Sequence, residues 1–227
     1  MKELTVVKDN KLIDASYRLS LTEQRMVLYC ISQMDSKNSR YSKKDEFTIN
    51  VKDFKNFFNV KGSDIYRSLK EAEENLFNRR FHYKNPETGR WRKSRWISAV
   101  EYDGEEGLSI QFSPDVLPFL TELKGNFTQY RLEDVAALSS AHAVRIYELC
   151  LSLKGRRENE VGLDDLKKML GIEKKYERFK DLNKWVIKPS VEQVNNNTDL
   201  TIQIEPIRKS RRIVALKFTI KSKSKSH

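Results

Sequence analysis

Apolar residues recur along this chain with two alternating periods, and the order in which the periods change occurs twice. After Ser20, the residues Val27, Leu28, Ile31 and Met34 fall at helical spacing, and Ser20 with Glu23 reads as a capping box at the helix start. A polar stretch from Asp35 to Glu46 leads to a short extended segment, FTINV. A short helix near Lys52 to Phe58 follows, then a longer one from Ser63 to about Phe77, with Ile65, Leu69, Ala72 and Leu76 on its apolar face. Phe81 and Tyr83 open another extended stretch, NPETGRWRKS supplies turn residues and positive charge, and WISAVEY returns. Asp103-Gly104 marks a further turn. Beyond it, Leu108, Ile110 and Phe112 alternate with Ser109, Gln111 and Ser113, the period of a half-buried strand.

The second passage repeats the plan. A helical pattern, SSAHAVRIYELCLSLK, is capped by Ser139 or Ser140 and runs into the polar turn GRRENE. In the short helix that follows, Asp165, Leu166 and Met169-Leu170 answer to Asp53, Phe54 and Phe57-Phe58 of the first passage. The two short helices close on Asn59-Val60 and Gly171-Ile172, a turn-forming residue plus an aliphatic in each. A long basic helix comes next, with a bend expected at Pro189, where a backbone donor is missing. Leu200, Ile202 and Ile204 then alternate on one strand and Val214, Leu216, Phe218 and Ile220 on another, joined by the basic tip PIRKSRR.

Helix, strand, helix, helix and a strand pair is the order of a winged helix, so the expected fold is α+β, with tandem winged-helix domains related by an internal repeat. The expected boundaries are 1–124 for the first domain, 125–138 for a packed connection, 139–221 for the second domain and 222–227 for a basic tail. PDVLPFLTELK reads as a short helix at the end of the first domain.

Charge sharpens this picture. Lys and Arg number 43 against 32 Asp and Glu, a formal net charge of +11. Such a surface suits a polyanion, without choosing among DNA, RNA and anionic lipid. No apolar run approaches the roughly 20 residues that span a bilayer, and MKELTVVKDNK lacks a signal-peptide core, so a cytoplasmic protein without membrane partners is expected. Cys30 and Cys150 lie in apolar helical patterns and read as buried thiols; His82, His142 and His227 are scattered. No metal, cofactor or catalytic group is expected.

A reading helix needs one face for its own domain and a polar face that can enter a major groove. In the second copy Phe179, Leu182 and Val186 supply packing, while Tyr176, Arg178, Lys180, Asn183 and Lys184 are contact candidates, with Lys174 and Lys175 just before them. In the first copy the corresponding candidates are Ser63, Tyr66, Arg67 and Lys70, but Glu71, Glu73 and Glu74 make the later turns acidic. The first copy is therefore expected to press on the backbone more than to read bases. The basic run around its wing includes Arg79, Arg80, Lys84, Arg90, Arg92, Lys93 and Arg95; the second wing carries Arg208, Lys209, Arg211 and Arg212. Of these, Arg90, Arg92 and Lys93 in the first wing and Lys209, Arg211 and Arg212 in the second are the DNA-contact candidates. Trp96 and Trp185 read as packing residues, Trp91 as a contact to DNA or to protein, and KSKSKSH as a frayed tail.

Four stretches together resemble the Rep_3, or RepB-like, family of theta-type plasmid replication initiators: LIDASYRLSLTEQRMVLY, FSPDVLPFLTELKGNFTQY, LSSAHAVRIYELC and YERFKDLNKWVIKPSVEQVN. The resemblance implies a monomer that binds direct repeats, called iterons, in double-stranded origin DNA. It also implies a homodimer, in equilibrium with the monomer, that binds an inverted operator repeat and represses the initiator's own gene. A host initiator and the replicative helicase are implied as partners in opening the origin. The second domain would dominate base reading, with Arg178 and Lys184 at its basic positions, and the first would contact adjacent DNA and form the dimer interface. Where some relatives carry an arginine cluster, this chain has Asn183-Lys184-Trp185. A dedicated transcriptional repressor with the same fold is the alternative. A rolling-circle nicking enzyme would need a His-hydrophobic-His pair and an ATPase a GxxxxGK[ST] loop, and the chain has neither.

Overall fold

The computed structural model describes residues 4–35, 45–62, 64–85, 88–121, 123, 125–154, 156 and 159–223. They form two compact units, Met1–Ala136 and Ala137–His227.

In the first unit, strand β1 (Thr5–Asp9) and the short helix α1 (Asn10–Ile13) precede α2 (Leu21–Ile31). The expected capping box starts α2: Ser20 Oγ accepts from the Glu23 amide at 3.2 Å, and the Glu23 carboxylate accepts from the Ser20 amide at 2.9 Å. Strand β2 (Glu46–Asn50) feeds the short helix α3 (Val51–Phe57), and α4 (Ile65–Asn78) follows. Ile65, Leu69, Ala72 and Leu76 are all buried along α4, as the helical spacing predicts. Tyr29 and Phe54 meet edge-on at 5.8 Å, and Phe54 lies 4.7 Å from Phe58, so aromatic packing holds α3 against α2.

Four strands come next: β3 (Arg80–Lys84), β4 (Trp91–Arg95), β5 (Ile97–Asp103) and β6 (Gly107–Phe112). Their pairing differs from the expected single wing. β6 pairs antiparallel with both β2 and β5, giving the sheet order β2-β6-β5, while β3 and β4 form a separate pair, bridged at His82 to Ser16. The wing that belongs to the helix-turn-helix is therefore the β5–β6 hairpin, and the basic β3–β4 hairpin is an insertion ahead of it. Alternation carries no record of which strand is the neighbour, and β4, WRKSR, lacks it altogether.

Residues 125–138 also depart from expectation. Strand β7 (Phe127–Arg131) pairs antiparallel with β1, from Thr5↔Arg131 to Asp9↔Phe127, and α5 (Glu133–Ala136) follows. The stretch expected as a connection is thus largely part of the first unit, and the units divide after Ala136. PDVLPFLTELK holds a single 3₁₀ turn at Leu117–Phe119 in place of a helix, because Pro118 supplies no amide for a longer hydrogen-bonded run.

The second unit has α6 (Ala141–Leu153), β8 (Glu160–Gly162), α7 (Leu163–Met169), a long helical run, β9 (Leu200–Lys209) and β10 (Arg212–Ser222). Its sheet order is β8-β10-β9. With β8 matched to β2, β9 to β5 and β10 to β6, the two sheets share one topology. The long run comprises α8 (Phe179–Leu182), a π turn (Asn183–Ile187) and α9 (Lys188–Asn197). At Pro189 the helix continues through that π turn, in which the Lys188 amide donates to Asn183 O. The wider turn accommodates a ring that would press on the carbonyl one α-turn back. Cys30 and Cys150 are free and buried, and burial pushes both thiols well up.

The repeated turn is legible down to its hydrogen bonds. In the first unit Asn59 has φ 46°, its amide donates to Asn56 O at 3.3 Å, and the Val60 amide donates to Lys55 O at 3.0 Å. In the second, Gly171 has φ 63°, its amide donates to Lys168 O at 2.9 Å, and Ile172 donates to Lys167 O at 2.9 Å. Both are Schellman closures with a left-handed residue after the last helical turn. A Cβ costs about 1 kcal/mol in that conformation. Gly171→Ala is therefore expected to destabilise its unit by about 1 kcal/mol, while Asn59→Gly leaves stability unchanged or raises it by a few tenths, as read from denaturant midpoints.

Candidate nucleic-acid interface

On the long helix of the second unit, Leu182, Val186, Ile187, Ser190 and Val194 are buried, and Lys180, Asn183, Lys184, Trp185 and Lys188 are exposed. Arg178 stands at the start of α8. Its Nε donates to Asp181 Oδ2 at 2.8 Å, yet its side chain stays 81% exposed, so the guanidinium is oriented and still accessible. Lys174 and Lys175 are exposed and Tyr176 half-buried; all three lie before the helix, where Tyr176 has φ 54°. Asn183 sits to one side, lining a groove of about 520 Å³ between the helix and β9 together with Ile187, Gln203 and Lys221.

The wing of this unit is sharply turned. Lys209 pairs with Arg212, so Ser210 and Arg211 form a two-residue loop, with Ser210 at φ 57°. Arg208, Lys209, Arg211 and Arg212 are all exposed, and no acidic residue interrupts the run from Arg208 to Arg212. Helix face and wing of one unit thus both present cations to solvent.

In the first unit the same positions are occupied differently. Arg67 lies between two carboxylates, 3.2 Å from Asp64 and 3.8 Å from Glu71. The Lys70 ammonium sits over the Tyr102 ring, 5.3 Å from its centroid. Tyr66 is half-buried, and Ser63 lies outside the described residues. Tyr102 Oη donates to the buried Glu73 at 2.5 Å. That hydrogen bond, followed by burial and the charges of Glu73 and Glu74, pushes the Tyr102 phenol up to about 12. The wing turn between β5 and β6 contains Asp103, Glu105 and Glu106, so it is acidic where the second unit's wing is basic.

Positive charge in the first unit is carried by the inserted hairpin. Its register places Arg80, His82 and Lys84 opposite Arg95, Lys93 and Trp91, so these six side chains share one face. The other face packs down: Phe81 stacks on Tyr83 at 5.2 Å and meets Trp96 at 5.3 Å, and Tyr83 meets Phe119 at 5.1 Å. Arg92 belongs to this inner side and pairs with Asp115 at 2.9 Å. Arg79 is also taken, by a two-point contact to Glu23 at 3.0 Å, and Arg95 donates to Phe77 O at 2.6 Å. Arg90 and Lys93 are exposed, and Trp91 is 77% exposed.

Trp96 is buried as expected, but Trp185 is 60% exposed, with the Lys184 ammonium over its ring. The inward positions beside it are taken by Leu182, Val186 and Ile187, which leaves the indole outside. Lys188, a further exposed cation of this helical run, lines the groove with Asn183. Among the described residues no helix is long and apolar enough to cross a membrane, and no group of three His, Cys, Asp or Glu is placed to hold a metal ion.

Two units with one sheet order and one helix-turn-helix closure define a tandem winged-helix protein. The family models agree: "Initiator Replication protein, WH1" matches residues 5–151 and "Initiator Rep protein, WH2" matches residues 162–220. The chain belongs to this Rep3 family of plasmid replication initiators. It is 30% identical over 213 residues to a replication initiation protein of Escherichia coli, covering 90% of this chain and 66% of that protein. The chain thus spans just under two thirds of that relative's length. An uncharacterized 27.6 kDa protein of Escherichia coli is 24% identical over 213 residues, covering 88% of each. Among solved structures, the Pi initiator protein in complex with iteron DNA superposes with a TM-score of 0.78 at 21% identity, covering 96% of this chain and 97% of that one.

The Tyr102–Glu73 contact gives a pH test. Because the phenol's value is raised on folding, its contribution is complete below the ordinary tyrosine value near 10 and is lost as pH rises through about 12. Tyr102→Phe is expected to lower stability by roughly 1 kcal/mol at pH 8, with the gap to wild type closing between about pH 10 and 12 in denaturant titrations.

Proposed function

We propose that this protein initiates plasmid replication by binding direct repeats in duplex origin DNA, with the second unit reading bases and the first positioning the protein on the backbone. One observation carries this division. The second unit's helix face and wing are both basic and exposed, whereas in the first unit the exposed Arg67 is flanked by the carboxylates of Asp64 and Glu71 and the wing turn is acidic. The family, and a relative solved with iteron DNA, support a duplex with repeated sites as the partner.

In this reading Arg178, Lys180 and Lys184 reach base edges or nearby phosphates, with Lys174, Lys175 and Tyr176 ahead of the helix and Asn183 at its side. Lys209, Arg211 and Arg212 lie on phosphates or in the minor groove beside the helix. Arg90 and Lys93 supply backbone contacts from the inserted hairpin, while Arg92 holds the hairpin through Asp115. Tyr66, Arg67 and Lys70 make at most secondary contacts. Several molecules on neighbouring repeats strain the DNA and, with a host initiator, open an A·T-rich segment and admit the replicative helicase. A homodimer in equilibrium with the monomer binds an inverted repeat and represses the initiator's own gene. The protein works in the cytoplasm on plasmid DNA and performs no covalent chemistry.

Binding is tested by anisotropy at about 150 mM salt, on a duplex carrying the origin repeats and on a shuffled duplex. Arg178→Ala with Lys184→Ala is expected to lose about 1–3 kcal/mol per base contact on the repeats and little on the shuffled duplex. Arg90→Ala with Lys93→Ala is expected to weaken both duplexes alike and to make the salt dependence shallower by about one ion per lost phosphate contact. Equal losses on the two duplexes for the first variant would contradict the reading role.

A further inference from the structure

We propose that Trp185 is a specificity-determining residue, packing its indole against the C5-methyl group of a thymine in the major groove. The inference rests on the duplex-reading role of the second unit. Trp185 is 60% exposed on a helix whose inward positions are already filled by Leu182, Val186 and Ile187, exposed by 0%, 1% and 2%. The indole therefore does nothing for the core, and its apolar surface stays in water unless something covers it.

What covers it is indicated by its surroundings. Trp185 lies in the π turn directly after Lys184, whose ammonium is 4.4 Å from the ring centroid and limits the orientations of the ring. Lys180, Lys184 and Lys188 are all exposed along this helical run, in a chain of net charge +11. An apolar ring set among cations suits a surface that is anionic at its margins and locally apolar within. A major groove bordered by phosphates has that character only at thymine, since the edges of guanine, adenine and cytosine present polar groups while thymine adds a methyl group. The π turn from Asn183 to Ile187 contributes by turning both Val186 and Ile187 inward while Trp185 remains outside.

The test removes the methyl group and nothing else. A duplex recovered from a random-sequence pool by the full-length protein is resynthesised with each thymine in turn replaced by uracil, which keeps pairing and every hydrogen-bonding edge. Wild-type protein is expected to lose about fourfold in affinity at one thymine in each site. Trp185→Ala is expected to bind the parent duplex at least about fourfold more weakly and to be indifferent to uracil at that one position, while Trp185→Phe recovers part of the sensitivity. Thermal midpoints are expected to be unchanged, because the indole is exposed. If every uracil loss were the same in wild type and Trp185→Ala, or if Trp185→Ala bound the parent duplex as tightly as wild type, the thymine contact would be wrong while duplex reading stood. Failure of the pool to yield any preferred duplex would remove duplex reading itself, and this contact with it.

Discussion

Everything that distinguishes a reading helix from an ordinary surface helix depends on how the short helix before it ends. Its last carbonyls must be satisfied while the chain reverses direction, and one residue with positive φ does this in each unit. In the second unit the closure is reinforced from below. The buried Arg145 donates to Met169 O at 2.9 Å and lies 3.4 Å from the buried Glu148, so α6 fixes the end of α7. In the first unit reinforcement comes from Glu23, buried within the α2 capping box and held at two points by Arg79 just beyond α4. Removing one partner of the buried Arg145–Glu148 pair costs about 3–5 kcal/mol, and less at Glu23, whose partner Arg79 is 39% exposed, against about 1 kcal/mol for a misplaced Cβ in the turn. The turn sets local direction, and the buried pairs keep the helices from drifting.

On this common frame the two units have opposite surfaces. Sheet order, helix order and turn closure are shared, so the proposed division between the units rests on side-chain charge and not on the backbone. Asp64 and Glu71 flank the exposed Arg67, and Lys70 lies over Tyr102, which holds Glu73, so carboxylates offset the helix cations of the first unit. The second unit makes comparable contacts, Arg178 with Asp181 and the Lys184 ammonium over the Trp185 ring, but Arg178 stays 81% exposed and the wing beside it is basic. The inserted β3–β4 hairpin restores positive charge to the first unit away from its acidic wing turn. Cations on a hairpin, rather than on a helix face, suit backbone positioning.

The sequence made the repeat, the helices and the capping box legible because each is local: Ser20 and Glu23 are three residues apart, and Ile65, Leu69, Ala72 and Leu76 follow one helical stripe. Pairing between distant segments was not legible. FTQYR alternates as a strand should, but nothing near it announces that its partner is Thr5–Asp9. Likewise the extended segments after α4 gave no sign that β6 lies between β2 and β5, and WRKSR, which reads as a basic tip, is the strand β4 that pairs with β3. At the candidate site, basic residue types pointed to Arg92 as readily as to Lys93, yet Asp115 engages only the former. Trp185 was misjudged because an apolar residue on a helix ordinarily packs; the burial of both Val186 and Ile187 around a π turn reversed that expectation.

The central claim is that the second unit selects repeated duplex sites while the first holds the protein beside them. Hydroxyl-radical footprinting of the full-length protein along its plasmid origin, with dimethyl sulfate interference on the same DNA, tests this most directly. The expected result is protection over short direct repeats in one orientation. Interference at guanine N7 is expected to be confined to one major-groove segment of each repeat, with backbone protection extending beyond it on one side. Protection without repeats, or a single protected inverted repeat with no direct repeats, would contradict the claim; the latter would make the protein a dedicated repressor.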